Sequence, residues 1–163
     1  MTKATYTLPE QPPVLNLVLV EPQIPQNTGN VARTCACTGA RLHLVHPMGF
    51  TITDAKLKRA GLDYWDKLNI THHESLAGFL QAADGPLYLF STKGHTPHST
   101  PAYPPGCFLV FGREDAGLPA SLLSQHPCVR LPMQNNLRSL NLSNTVAVAA
   151  YEALRQWNYP LLG

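Results

Sequence analysis

The stretch Leu15–Val45, LNLVLVEPQIPQNTGNVARTCACTGARLHLV, decides the fold class. Leu15 to Val20 is a continuous apolar run of strand length, which predicts a strand covered on both faces. Pro22 and Pro25 interrupt regular structure after it. Asn27 or Thr28 then caps a helix that runs to about Thr38 and stops at Gly39. Arg41–Val45 is a second strand, closed by Pro47 and Gly49. A strand, a helix and a second strand in this order suit a parallel sheet.

The same alternation continues outward. Asp54–Arg59 reads as a short helix with Asp54 as its cap, followed by a weak strand near Ile70. Ser75 caps a helix to Ala83, and Leu87–Ser91 is a clear strand. A loop rich in Gly, His, Pro and Ser covers 92–106, and Cys107–Phe111 is the next strand. Pro119 starts a short helix over 120–124. Val129–Pro132 is a short strand, and the last helix runs from near Asn141 to Trp157. Leu142, Val146, Ala149, Ala150, Ala153 and Trp157 share one face of it. The expected fold is a single α/β domain with a mainly parallel sheet flanked by helices.

The chain of 163 residues fits one such domain. Residues 1–13, MTKATYTLPEQPP, are polar and Pro-containing and read as a loose tail before a domain over 14–163. They hold no apolar segment of the secretory kind, and no run of about 18 apolar residues occurs anywhere. A cytoplasmic protein is expected. Charged residues are only 13%, with a net charge of +2, which is too mild to announce a nucleic-acid binder. Cys35, Cys37, Cys107 and Cys128 sit in hydrophobic surroundings and read as buried, reduced thiols. Their spacing matches no standard zinc frame, so no metal is expected.

Ligands of a parallel sheet gather beyond the carboxyl ends of the strands, and three segments there are unusual. In Asn27–Thr34, a polar loop becomes a helix N-terminus, whose free N–H groups attract anions. Asn30 and Arg33 are three apart and share a face of its first turn. In Phe111–Pro119, FGREDAGLP, a buried strand feeds a Gly-bounded acidic loop, where Gly112 allows close approach of a ligand. In Leu131–Asn144, Arg138, Ser139, Asn141, Ser143 and Asn144 crowd the start of the last helix, to cap it or to meet a ligand. The pattern GxGxxG is absent, which disfavours a dinucleotide oxidoreductase.

Together these segments resemble the knotted SPOUT methyltransferases, in the subgroup of 2′-O-ribose methyltransferases. NTGNVART, LVFGREDAGLP and LPMQNNLRSLNLSNTVAVAAYEA occur in the family's order, and the likeness spans about Leu15 to Trp157. Pro47–Phe50 and Lys58–Trp65 narrow it to the minimal members acting on the wobble cytidine or uridine of tRNA. The resemblance implies a C-terminal deep trefoil knot, a homodimer, S-adenosylmethionine as cofactor and tRNA as substrate. It places Phe90, Gly112, Leu131 and Ser139 at the cofactor, with Glu114 shaping the same loop. It makes Arg33 the catalytic arginine, assisted by Asn30 and Asn144, and brings Lys93, Arg138 and Tyr151 to the RNA. It pairs two copies through the first and last helices, with Arg33 near the partner's cofactor. Arg113 and Asp115 depart from the pattern by adding charge at the pocket rim, and Gln134–Leu137 is a variable stretch. A methyltransferase for another tRNA position or ribosomal RNA is the competing enzyme reading. A non-catalytic RNA-binding member of the fold is the competing reading of another class.

Overall fold

The computed structural model describes residues 13–53, 55 and 64–163. The strands are β1 Asn16–Val20, β2 Arg41–Val45, β3 Ile70–His73, β4 Leu87–Phe90, β5 Thr96–Pro97, β6 Phe108–Phe111 and β7 Cys128–Arg130. The helices are α1 Pro25–Thr38, α2 Leu76–Ala82, α3 Ala120–Leu123 and α4 Leu142–Gln156, with a 3-10 turn at Trp65–Lys67. Among the described residues these strands form one sheet in the order β3-β2-β1-β6-β4-β7-β5, and every pair is parallel.

The uniform apolar run of β1 reflects its place in mid-sheet. Leu17 and Leu19 enter the core under α1 and α4, while Val18 and Val20 enter a second core with Phe79, Leu118 and Leu122. All four are fully or almost fully buried. The larger core seats Val31, Ala32 and Cys35 of α1 with Val146, Ala149, Ala150 and Ala153 of α4. Alanines along α4 let the two helices lie close together, so both N-termini reach the same edge of the sheet.

Helix α1 begins earlier than expected. Ile24 is its N-cap and Pro25 its first residue, a position where a missing N–H costs nothing. Asn27 and Thr28 therefore lie inside the first turn, and both are buried. Gly39 ends the helix in the left-handed conformation, its N–H donating to the Cys35 carbonyl. Ser75 caps α2 through its side chain, as expected, and Asn141 caps α4, one of the two roles open to it. Strand β5, two residues in the Pro-rich loop, escaped the sequence reading. The helix expected over 54–59 lies, Ala55 apart, outside the described residues. So do residues 1–12 of the expected tail and Lys58–Asp63.

One thiol corrects the expectation of four buried cysteines. Cys35 and Cys107 are buried, and burial pushes each thiol up to about 12. Cys37, two residues further round α1, is exposed, and Cys128 is half-buried. Among the described residues no helix is long and apolar enough to cross a membrane.

At the amino ends of the strands lies a buried polar group. The side-chain amide of Asn16 donates to the carbonyls of Gly106 and Cys107, tying β1 to the entry of β6. Its oxygen faces His43 Nε2 at 3.0 Å, so that nitrogen carries the proton. His43 Nδ1 lies 3.0 Å from His73 Nε2. His43 is 9% exposed, and burial first, then His73 and Arg41, push its pKa down to about 4, with Asp84 opposing. The folded state thus disfavours the charged ring. Its contribution is fully present above the unfolded value of 6.5 and is lost as pH falls toward about 4. Chemical unfolding should show stability falling over that interval with a slope of up to ~1.4 kcal/mol per pH unit. His43→Gln, whose amide can still donate to Asn16, should flatten that slope.

Candidate functional site

The loops at the carboxyl ends of β4, β6 and β7 enclose a cleft of about 630 Å³ together with the N-termini of α1 and α4. Ser91–Lys93 follow β4, Gly112–Leu118 follow β6, and Leu131 and Met133 follow β7. Residues 138–142 and Thr145 form the wall toward α4, and Ile24 and Asn27 the wall toward α1. The location follows from the topology, since helices cover both faces and only the strand ends stay open. A smaller cavity of about 350 Å³ lies at the opposite end, around Asn16, His43, His73 and Asp84. Its inner polar atoms pair with one another.

The loop after β6 is folded tightly. Arg113 N–H donates to the Gly117 carbonyl (3.3 Å) and Gly117 N–H to the Arg113 carbonyl (2.9 Å). Gly112 packs against that return, and a Cβ there would collide with the backbone of Gly117 and Leu118. The added charges at the rim answer each other. Arg113 Nε and Nη2 donate to the two oxygens of Asp115 at 2.9 Å each, and its Nη1 lies 3.7 Å from Glu21. The Arg113 hydrogen bond holds the Asp115 carboxyl below the usual range.

Glu114 faces the other way. Its carboxylate accepts from Gln23 N–H (2.8 Å), Ile24 N–H (3.1 Å) and the Asn27 side-chain amide (3.3 Å). Neither Ile24 nor any acidic residue of α1's own first turn caps that helix. A carboxylate from 90 residues away therefore supplies the acceptor and the negative charge that the N-terminus lacks.

From Asn27 the hydrogen bonds continue to α4. The Asn141 amide donates to Asn27 Oδ1 (3.1 Å). Asn141 Oδ1 accepts from the N–H of Ser143 (2.9 Å) and Asn144 (3.3 Å) and from the Ser143 hydroxyl (2.6 Å). Ser143 Oγ in turn accepts from the Asn30 amide (3.4 Å). One hydrogen-bonded chain thus runs Glu114–Asn27–Asn141–Ser143–Asn30 and joins both helix N-termini to the β6 loop. Each amide's donor and acceptor ends are fixed by its neighbours.

The residues singled out in the sequence divide into two groups. Phe90, Lys93, Gly112, Glu114, Leu131, Arg138 and Ser139 line the cleft. Asn30, Arg33, Asn144 and Tyr151 do not. Asn30 and Arg33 are exposed on α1, and Asn144 and Tyr151 on α4. The guanidinium of Arg33 sits over the ring of Tyr64, 5.1 Å from its centroid. Asn27 was read only as a helix cap, and its link to Glu114 and Asn141 was missed. The density of Asn and Ser in the two helix-start motifs was the available signal.

Residues 14–151 match the model of the SpoU rRNA methylase family. The tRNA (cytidine(34)-2′-O)-methyltransferase of Escherichia coli (strain K12) is 49% identical over 151 residues, covering 90% of this chain and 96% of that protein. A solved structure described as giving insights into the 2-OH methylation of C/U34 on tRNA superposes with a TM-score of 0.85 at 46% identity, covering 90% of this chain and 97% of the other. The AdoMet-bound rRNA methyltransferase of Sinorhizobium meliloti superposes with a TM-score of 0.78 at 25% identity, covering 91% of this chain and 57% of the other.

Glu114→Ala leaves the Gln23 and Ile24 N–H groups without their acceptor and should cost about 1–3 kcal/mol in chemical unfolding. Glu114→Gln keeps one acceptor oxygen and should cost less.

Proposed function

Because the chain belongs to the SpoU rRNA methylase family, we propose that it transfers the methyl group of S-adenosylmethionine to the ribose 2′-hydroxyl of the wobble cytidine or uridine of tRNA. The observation that carries this reading is 49% identity along nearly all of both chains to a tRNA (cytidine(34)-2′-O)-methyltransferase. The similarity leaves little of that relative unmatched.

The cleft fits the cofactor. Its volume suits a ligand of that size. Phe90 and Leu131 offer apolar walls, and the missing Cβ at Gly112 lets the loop return at Gly117 and Leu118 pack tightly and form the wall between them. Phe90, Gly112, Leu131 and Ser139 would hold it, with Glu114 fixing the loop from behind. When bound, it supplies an electrophilic methyl group on a sulfonium.

The remaining work belongs to the chain's own residues. Arg33 binds the phosphate beside the target ribose and stabilises the 2′-oxygen as its proton leaves. A guanidinium stays charged at any working pH, so Arg33 acts as a cation and not as the base. Asn30, held by Ser143, and Asn144 help place Arg33 and the ribose. Lys93 and Arg138, on the cleft, and Tyr151 meet the RNA.

Two copies form the working unit in this reading. The proposed catalytic group lies off the cleft of its own chain, on exposed stripes of α1 and α4. Val148 and Tyr151 on α4 are 43% and 46% exposed. Pairing through these stripes would cover that apolar surface and bring Arg33 toward the partner's cleft. The domain over 14–163 carries the knot at its C-terminal end. In support, the 97–106 loop straps the end of α4. Gln156 donates to the Pro101 carbonyl (3.0 Å) and accepts from Tyr103 N–H (2.9 Å), and the Trp157 indole donates to the Tyr103 carbonyl (2.7 Å). A tRNA-modifying role places the protein in the cytoplasm.

Labelled S-adenosylmethionine and tRNA from a strain lacking this protein should yield label on the wobble ribose, read by nucleoside mass mapping. Cofactor binding without label in tRNA would sink the assignment. Arg33→Ala should lower turnover at least about 100-fold, the scale of losing one oxyanion-stabilising group, with cofactor binding unchanged. Gly112→Ala should abolish cofactor binding. Co-expressed Arg33→Ala and Gly112→Ala chains should regain activity, since a mixed dimer holds one intact cleft facing one intact Arg33. No regain would show that Arg33 serves its own chain's cleft.

A further inference from the structure

Arg33 stands on an exposed stretch of α1, and among the described residues no carboxylate or carbonyl holds its guanidinium. It lies instead over the face of Tyr64, with the Cζ atom 5.1 Å from the ring centroid. That distance is within the range over which a ring face attracts a cation. Tyr64 is itself well placed to be a fixed platform. It is the N-cap residue of the 3-10 turn Trp65–Lys67, and Trp65, which opens that turn, and Leu68, which follows it, pack against the main core.

The choice of partner has a chemical consequence. A carboxylate would occupy two of the five guanidinium N–H donors and offset the positive charge. A ring face restrains the group and uses no donor in the guanidinium plane. All five N–H groups stay available to a phosphate or to a developing oxyanion. We infer that Tyr64 is a positioning residue, whose ring holds the Arg33 guanidinium with its charge and donors free for the RNA. The inference rests on the role given to Arg33 above and extends it to a residue 31 positions away that this fold brings into contact with it.

The test separates the ring's charge distribution from its bulk. Tyr64→Phe keeps the ring face and should retain wild-type kcat. Tyr64→Leu should lower kcat about two- to fivefold, the scale of such a contact at an exposed site. The KM for S-adenosylmethionine should not move. Phenylalanines carrying one, two and three fluorines at position 64 keep the shape and the fold while draining the ring's negative face. They should lower log kcat stepwise. The Arg33 side-chain protons should show an upfield ring-current shift by NMR in wild type and Tyr64→Phe, and lose it in Tyr64→Leu. A flat fluorine series, or Phe and Leu variants equally impaired, would overturn the positioning role while leaving Arg33 essential. Normal turnover by Arg33→Ala, alongside the ring-current shift in the wild-type chain, would instead remove the role given to Arg33.

Discussion

The arrangement of this protein depends on a single carboxylate, that of Glu114, set against the N-terminus of α1. That helix begins with a proline and an isoleucine cap, so its first turn brings no acceptor of its own. The missing acceptor comes from the loop after β6. Helix and loop are thereby fixed to each other at the mouth of the cleft. Through Asn27 and Asn141 the same chain fixes the start of α4. Three loops from distant parts of the sequence then form one wall. The sheet alone could not do this, because it sets strand ends and leaves the connections between them free.

The division of site residues follows from the same geometry. Residues that line the cleft come from strand ends and the loops just beyond them. Asn30, Arg33, Asn144 and Tyr151 come from helix surfaces that face outward. Asn30 is the hinge between the two groups, since it is exposed yet hydrogen-bonded to Ser143 and so to the cleft wall. In the function proposed above, a single chain thus carries two half-sites, one in the cleft and one on an exposed helical face. The helix-to-helix pairing proposed above is the arrangement that brings them together.

Much of this was legible in the sequence. The uniform apolar run 15–20 announced a mid-sheet strand, and Ser75, Gly39 and Asn141 marked helix ends by known cap chemistry. The start of α1 was misplaced because Pro25 was weighed as a breaker, when a proline at a first helical position is well tolerated. Strand β5 has only two residues and no pattern to read. Glu114 stood out as shaping the loop after β6, but the identity of its donors, some 90 residues away, is a property of the fold. The Arg33–Tyr64 contact was likewise invisible, because nothing in the spacing of those two residues signals that they meet.

The two ends of the sheet differ, and the far one carries a consequence of its own. Beyond β7 the last strand is Thr96–Pro97. A strand that short, with a proline, presents almost no row of free donors to an incoming chain. That border offers little to strand addition, which disfavours growth of a swapped segment or an aggregate from it. The pairing proposed above thus falls to side chains on the helices, since sheet continuation on that side is disfavoured.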